Sequence, residues 1–281
     1  MNSSQDDPCE LLKWDSDFFE LKIARLLGSI LRPALADAAD IWCRRHGVNC
    51  LYAKLRSDDP ETGQVVLGHG YRLVDVRITL EQEIDRGLEN HPDAPGSRST
   101  WVVRPCQTRD LPALQRIART RHRDTRFFFD GNFSPKRCED LYERWITVSC
   151  QGYAQIVLVA QRDGDQAENA ELDNDCIGYI TCHLDGPEAP GRIGLFAVDA
   201  TFTGQGVGRA LVRSAMSWFA LQKRTRVSVV TQGRNVGALR LYERCGFCTA
   251  GVELFYHKWY LDPDSPHRPR LLAPARKLAT P

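Results

Sequence analysis

Two stretches between residues 193 and 246 combine residue types and spacings that could do chemistry. The first is Thr203-Gly204-Gln205-Gly206-Val207-Gly208-Arg209, which follows the apolar run 194–198 and leads into Val207, Ala210, Leu211, Ala215, Trp218 and Phe219 at helical spacing. Glycines let a backbone approach a ligand closely, and a helix N-terminus offers N–H groups and partial positive charge, a pairing that suits a pyrophosphate. The spacing G-x-G-x-G fits neither the dinucleotide fingerprint G-x-G-x-x-G nor the P-loop. Taken alone, such a turn is most often only a tight turn. The second stretch places Asn235, Ala238 and Tyr242 on one helical face, with Asn235 as cap and Gly246 just past the end. A tyrosine held there can donate a proton, or can be a buried phenol bonded to a carbonyl. His183, followed by Asp185, has the reference pKa best suited to a general base, although a lone histidine is more often structural.

These groups need strands and helices to hold them. The pattern predicts strands over 156–161, 176–184, 192–199 and 225–231, helices from 207 and over 235–244, and two closing strands over 247–250 and 253–261. Upstream, 101–104 reads as a strand, a helix starts at Thr108 with its hydroxyl as cap, and another covers about 134–150. Between them His122 to Phe133 reads as a loop in which Arg123 and Arg126 precede Phe127-Phe128-Phe129. By chemistry alone the three phenylalanines are core plugs; stacking on a base, with arginines on phosphates, is the sharper alternative. Residues 10–83 form a smaller α/β pattern, with strands over 21–27, 48–55 and 72–80 and helices over 33–46 and 60–70. Ahead of it lies the aromatic and acidic cluster from Trp14 to Phe19, which reads as core packing and a solvated turn. Pro, Gly, Ser and Asn gather over 85–100, giving domains at 1–84 and 101–261 joined by a linker, with a Pro- and Arg-rich disordered tail over 262–281.

Composition narrows the function classes. Thirty-seven basic against thirty-six acidic residues leave no global field for nucleic acid or an anionic membrane, so neither partner is expected. No apolar run approaches the roughly 18 residues of a membrane span. The opening residues lack a basic segment followed by an apolar core, so a cytoplasmic location is expected. Ten scattered cysteines read as reduced thiols, and Cys245-Gly246-Phe247-Cys248, with no second close pair, reads as structural, so no metal is expected.

The ordered set of strand, Gly206-x-Gly208 turn, helix, strand, then Asn235-x-x-Ala238-x-x-x-Tyr242-x-x-x-Gly246-Phe247 resembles the coenzyme A-binding half of the GNAT acyltransferases. The blocks Trp14 to Phe19, Ile23-Ala24-Arg25, Thr125 to Phe128 with Phe133, and Leu141-Tyr142-x-x-Trp145-Ile146 are similar to the sugar-nucleotide N-acetyltransferase branch. The resemblance implies an α/β GNAT fold with a smaller, vestigial GNAT-like N-terminal domain, and acetyl-CoA as cosubstrate. It assigns Phe196, Ala197 and Val198 to the pantetheine arm and carbonyl, Thr203 to Arg209 to the pyrophosphate, Asn235 and Ala238 to the arm, and Tyr242 to the departing thiolate. Thr203 stands where the family has Gln or Arg. The implied acceptor is the 4-amine of a dTDP-4-amino-4,6-dideoxyhexose held between the domains, with Arg123, Arg126, Phe127 and Trp14 as its candidate contacts. The reaction implied is direct transfer in a ternary complex. A homodimer is left open. The competing readings are acetylation of another small amine or a protein N-terminus, and a non-catalytic acyl-CoA-binding module.

Overall fold

The structure, a computed structural model, describes residues 7–84, 101–162 and 176–260. The expected linker, the polar loop between the strands at 156 and 184, and the expected tail therefore lie outside the described residues. Compactness groups the described chain into two units that are not contiguous in sequence. The first holds residues 7–77, 125–138 and 252–260; the second holds 78–84, 101–124, 139–162 and 176–251. Residues 125–138 and the last strand thus belong with the N-terminal segment, an interleaving that a linear boundary at 85–100 does not express.

In the first unit the strand order is β1 (Cys9–Leu11), β2 (Ile23–Leu26), β3 (Cys50–Arg56), β10 (Cys248–Trp259) and β4 (Arg72–Glu83), the last two contributing only the parts that fall within it. β2 and β3 are parallel, and β10 runs antiparallel to β3. The helix α2 (Pro33–Arg45) starts on a proline, whose missing N–H costs nothing at a first turn, and ends on Arg44 and Arg45, which complement the helix dipole. Its Ala36, Ala39 and Cys43 join Leu51, Leu55 and Val66 in the core. The helix α3 (Pro60–Gly68) is capped by Asp59, which accepts from the Thr62 N–H at 2.8 Å. Two short elements escape the sequence pattern. α1 (Lys13–Phe19) buries only Phe19, so it has no apolar stripe to betray it, and α5 (Arg126–Asp130) is a single turn closed by Gly131 in the left-handed region.

The second unit runs β4, β9 (Arg226–Gln232), β8 (Gly191–Val198), β7 (Cys176–Leu184), β6 (Ile156–Arg162) and β5 (Trp101–Pro105). β5 with β6, β6 with β7 and β7 with β8 pair antiparallel, and β8 with β9 pairs parallel. The helix α7 (Val207–Leu221) lays Val207, Leu211, Val212, Ala215 and Phe219 on Ile180, Cys182 and Ile193 of the sheet. α8 (Val236–Arg244) follows β9. α4 (Leu111–Arg121) follows a short 3-10 turn at Thr108–Asp110, and α6 (Pro135–Val148) passes from the first unit into the second. The turn before α4 is closed by the Asp110 carboxylate, which accepts from the Gln107 N–H at 2.7 Å and ion-pairs with Arg104, rather than by the Thr108 hydroxyl. The two closing strands expected after Gly246 are one strand, β10: Gly251 stays extended instead of breaking it. Among the described residues no helix is long and apolar enough to cross a membrane.

Candidate functional site

β8 carries the centre of the candidate site. Its pairing with β7 is Gly178↔Val198, Tyr179↔Ala197 and Ile180↔Phe196, then Cys182↔Ile193. Three steps on β8 thus face two on β7, so β8 holds one extra residue, a β-bulge at Gly194 and Leu195. On its other side β8 pairs with β9 over Gly191↔Val227, Arg192↔Ser228 and Ile193↔Val229, and the pairing stops there although β8 runs on to Val198 and β9 to Gln232. Beyond Ile193 the two parallel strands part. The Asp199 N–H donates to the Ile177 carbonyl at 2.8 Å, and the Leu195 N–H also turns toward β7. By strand alternation the N–H groups of Phe196 and Val198 then point the other way, into the opening between β8 and β9, while Ala197 faces β7.

The glycine turn stands next to this opening. Gly204 and Gly206 have φ of +82° and +91°, in the left-handed region that side chains disfavour. Gly206 is the N-terminal cap of α7 and offers no side chain to its amides; the first helical bond runs from the Ala210 N–H to the Gly206 carbonyl at 3.1 Å. The amides of Val207, Gly208 and Arg209 therefore have no acceptor within the helix. A Cβ on Gly208 would lie 3.1 Å from Phe196 Cζ and 3.2 Å from a Leu241 methyl, so the helix start is packed close against β8 and α8. Thr203 and Gln205 are exposed, and both are tied back to the chain: Thr203 Oγ1 donates to the Asp199 carbonyl and Gln205 Nε2 to the Thr201 carbonyl. Arg209 and Arg213, one turn apart on α7, both lower the Cys245 thiol against the upward push of its burial. Unpaired amides, a helix dipole and two arginines fit a diphosphate and its neighbouring phosphate.

Asn235 caps α8, its Oδ1 accepting from the Ala238 N–H at 3.1 Å, which leaves its amide NH2 as a donor. Tyr242 is 3% exposed, with its ring between Phe196 at 6.0 Å and Phe247 at 5.6 Å. Its hydroxyl has no hydrogen-bond partner among the described residues. Burial, with the nearby Cys245 adding to it, pushes the phenol above its ordinary value, so Tyr242 keeps its proton across physiological pH.

His183 sits elsewhere in the same unit. Its neighbours are Thr181, whose Oγ1 is 3.2 Å from His183 Nε2, and the ring of Tyr153 at 5.4 Å. Burial, then Arg192, lowers the imidazole to about 4. A neutral histidine that weakly basic, its Nε2 already facing a hydroxyl, is poorly suited to the base role expected of it. It is one of three histidines held neutral by burial: His122, bonded to the Tyr179 hydroxyl at 2.8 Å, is lowered to about 4, and His257 is lowered by burial despite its bond to Asp130. An unfolded histidine titrates near 6.5. Below that pH the unfolded chain binds more protons than the folded one, so stability is lost as pH falls from about 6.5 toward 4. The melting temperature should fall steadily between pH 7 and pH 4.5 in a thermal-shift series; a flat profile would mean these rings take up protons when folded.

The residues expected to hold an acceptor are more dispersed in role. In the second unit Arg123 ion-pairs with Glu139 at 2.7 Å. In the first, Arg126 lies over the rings of Phe127, Phe255 and Tyr52 at 4.2, 4.7 and 5.1 Å, with its Nε buried and unpartnered. Phe127 is 1% exposed and surrounded by Phe19, Phe133 and Tyr52, so its faces serve the core and not a base. Trp14 is half exposed and stacked on Phe18. No spacing along the chain signals a buried polar cluster in the first unit. There the buried Asp130 Oδ2 accepts from His257 Nδ1 at 2.6 Å and Trp259 Nε1 at 2.9 Å, and its Oδ1 accepts from Asn132 at 2.9 Å. Cys50 completes a trio with ligand-type atoms within 4.8 Å of one another. Both Asp130 oxygens are already in use, so the trio reads as a buried hydrogen-bond network centred on Asp130, in which His257 Nε2 alone of the ring nitrogens has no partner among the described residues. Cys245 and Cys248 are free thiols.

The acetyltransferase (GNAT) family model matches residues 122–247. The chain is 27% identical over 158 residues to the spore coat polysaccharide biosynthesis protein SpsD of Bacillus subtilis, a match covering 55% of this chain and half of that protein's length. It is 27% identical over 241 residues to a dTDP-fucosamine acetyltransferase of Escherichia coli, covering 84% of this chain and 92% of that one. Among solved structures, a GCN5-related N-acetyltransferase from Sphaerobacter thermophilus superposes with a TM-score of 0.61 at 17% identity, over 89% of this chain and 76% of that one.

Proposed function

We propose, from the match of residues 122–247 to the acetyltransferase (GNAT) family model, a family that uses acetyl-CoA, that the protein transfers an acetyl group to the 4-amine of a dTDP-linked 4-amino-4,6-dideoxyhexose. The observation that carries the acyl-transfer part is the parting of β8 and β9 beyond Ile193, beside the unpaired amides that start α7. An extended thioester arm fits such an opening, with its diphosphate at the helix start. The acceptor part is supported by the relative that matches along nearly its whole length, whose name specifies a dTDP-amino sugar.

Acetyl-CoA supplies an acyl group activated as a thioester. The chain's part is to bind it, to place an amine beside the carbonyl carbon, and to stabilise charge where it develops. Holding both reactants makes attack by the neutral amine effectively unimolecular. The outward amides of Phe196 and Val198 polarise the carbonyl oxygen as the C–N bond forms. The protonated phenol of Tyr242 donates to the sulfur as the C–S bond breaks, and the proton lost by the amine passes to water. Arg123 is retained as a candidate contact for the acceptor's diphosphate, once Glu139 is displaced.

The test is release of free thiol from acetyl-CoA with a panel of dTDP- and UDP-amino sugars, with a polyamine, an aminoglycoside and a peptide amine as controls. Turnover with a dTDP-4-amino-4,6-dideoxyhexose is the expected result. Turnover confined to the controls would keep acetyl transfer and remove this acceptor; acetyl-CoA binding with no turnover would favour the binding-module reading.

A further inference from the structure

We propose that Thr181 is a positioning residue for acyl transfer: its hydroxyl, backed by His183, holds the β8 bulge in the phase that turns the Phe196 and Val198 amides into the opening. The inference rests on the acyl-transfer reading above and concerns residues that reading leaves without a role.

A bulge leaves one residue without its ladder partner, and the buried N–H of that residue must find another acceptor. Here the acceptor is a side chain. The Leu195 N–H donates to Thr181 Oγ1 at 2.8 Å, and Thr181 is fully buried on the facing strand. A threonine hydroxyl has two lone pairs and one proton. With a lone pair given to Leu195, the proton is free to go to His183 Nε2 at 3.2 Å. The imidazole, kept neutral by burial, presents a lone pair there. The order of donation is therefore Leu195 N–H to Thr181, then Thr181 O–H to His183, and every group in the line is satisfied.

Two further observations fix this assembly in place. Thr181 and His183 lie on the opposite face of β7 from Gly178, Ile180 and Cys182, which face α7, so they stand apart from the packing of the main core. A Cβ built on Gly194 would come within 2.5 Å of His183 Nε2 and 2.7 Å of Thr181 Oγ1. The bulge thus lies directly over the hydroxyl and the ring, at a residue with no side chain to intervene.

The bulge matters because strand alternation has a period of two. One residue more or fewer in β8 exchanges the amides that face β7 with those that face the opening. Losing the Thr181 acceptor leaves the part-buried Leu195 N–H unpaired, which favours slippage or local opening at the point that sets this phase. The effect falls on stabilisation of the carbonyl oxygen and not on the phosphate cradle at α7. A drop in kcat with acetyl-CoA affinity preserved is the signature.

The experiment compares wild type, Thr181→Val and Thr181→Ser by two readouts: amide hydrogen exchange at Leu195 in the full chain, and steady-state kinetics with whichever amine in the panel the wild type accepts. The valine variant keeps the shape and loses the hydroxyl; the serine variant keeps the hydroxyl. Exchange at Leu195 should quicken about tenfold or more in Thr181→Val, the scale of one lost hydrogen bond, and kcat should fall by a similar factor at nearly unchanged affinity for acetyl-CoA. Thr181→Ser should stay near wild type in both. Unchanged Leu195 exchange in the valine variant, or equal losses of kcat in the valine and serine variants, would overturn the proposal. A wild type that releases thiol with no amine would count against the proposed function instead, and Leu195 exchange would still decide whether Thr181 holds the bulge.

Discussion

Replacing Tyr242 with phenylalanine should lower kcat by about 10²-fold or more while leaving acetyl-CoA affinity and the melting temperature nearly unchanged. The substitution removes one oxygen and keeps the ring that packs between Phe196 and Phe247 in the core, so the fold has no cavity to absorb. What is lost is the phenolic proton beside the opening. Burial raises the phenol above its ordinary value near 10, whereas a free alkyl thiol titrates near 8.5. Outright proton transfer from the tyrosine to the thiolate is thus uphill, and the expected contribution is a hydrogen bond that strengthens as negative charge grows on sulfur. It follows that the pH–rate profile of the wild type should show no ionisation of Tyr242 between pH 6 and 9. Isothermal titration with acetyl-CoA alongside turnover separates the possibilities: equal loss of affinity and kcat would make Tyr242 part of the binding wall, and unchanged turnover would remove it as donor.

The parts of this site legible in the sequence are those whose determinants are close along the chain. The Gly204–Gly206–Gly208 turn, the cap at Asn235 and the one-face placement of Tyr242 are set by spacing within a turn or two of helix, and each is found where the spacing places it. The strand Cys176–Leu184 matches its expected bounds because it is buried on both faces and so is mostly apolar along its length, with Thr181 and His183 as its polar interruptions. The bulge at Gly194 and Leu195 was not legible, because a bulge is a count of residues on one strand against those on its partner, and no single segment carries that count. The same limit applies to His183. Its reference pKa suggested a base, but its environment comes from Thr181, Tyr153 and Arg192, which only the sheet brings together. Phe127 repeats the point: a phenylalanine just after an arginine could serve a ligand or a core, and only the surrounding rings decide. The strands expected over 247–250 and 253–261 form the single β10, since residues 251 and 252 stay extended and pairing with β3 then runs from Glu253 to Trp259.

In the first unit the largest single effect on stability should come from Asp130. Its carboxylate is fully buried and accepts three side-chain hydrogen bonds, from His257, Trp259 and Asn132, while Arg72 Nη1 donates to its carbonyl at 3.1 Å. Around these groups stand aromatic rings: Tyr52 is stacked on His257 at 4.6 Å, and Phe133 lies edge-on to His257 and Trp259. Truncation to alanine removes every acceptor at once and leaves the His257 and Trp259 N–H groups facing hydrocarbon, where neither water nor another side chain replaces what was lost. A cost of about 2–6 kcal/mol is expected, from two buried neutral donors left unpaired at about 1–3 kcal/mol each. Asparagine keeps one acceptor oxygen and should lose less, because it can satisfy His257 or Trp259 although it presents its own N–H2 to the other donor. Urea unfolding of the full chain, followed by tryptophan fluorescence, measures both variants against wild type. Affinity for acetyl-CoA in the folded fraction should persist, since none of the residues assigned to that ligand bonds to Asp130. A loss under about 1 kcal/mol for the alanine variant would mean that His257 and Trp259 find other partners, and the network would then be a consequence of the packing around it rather than one of its causes.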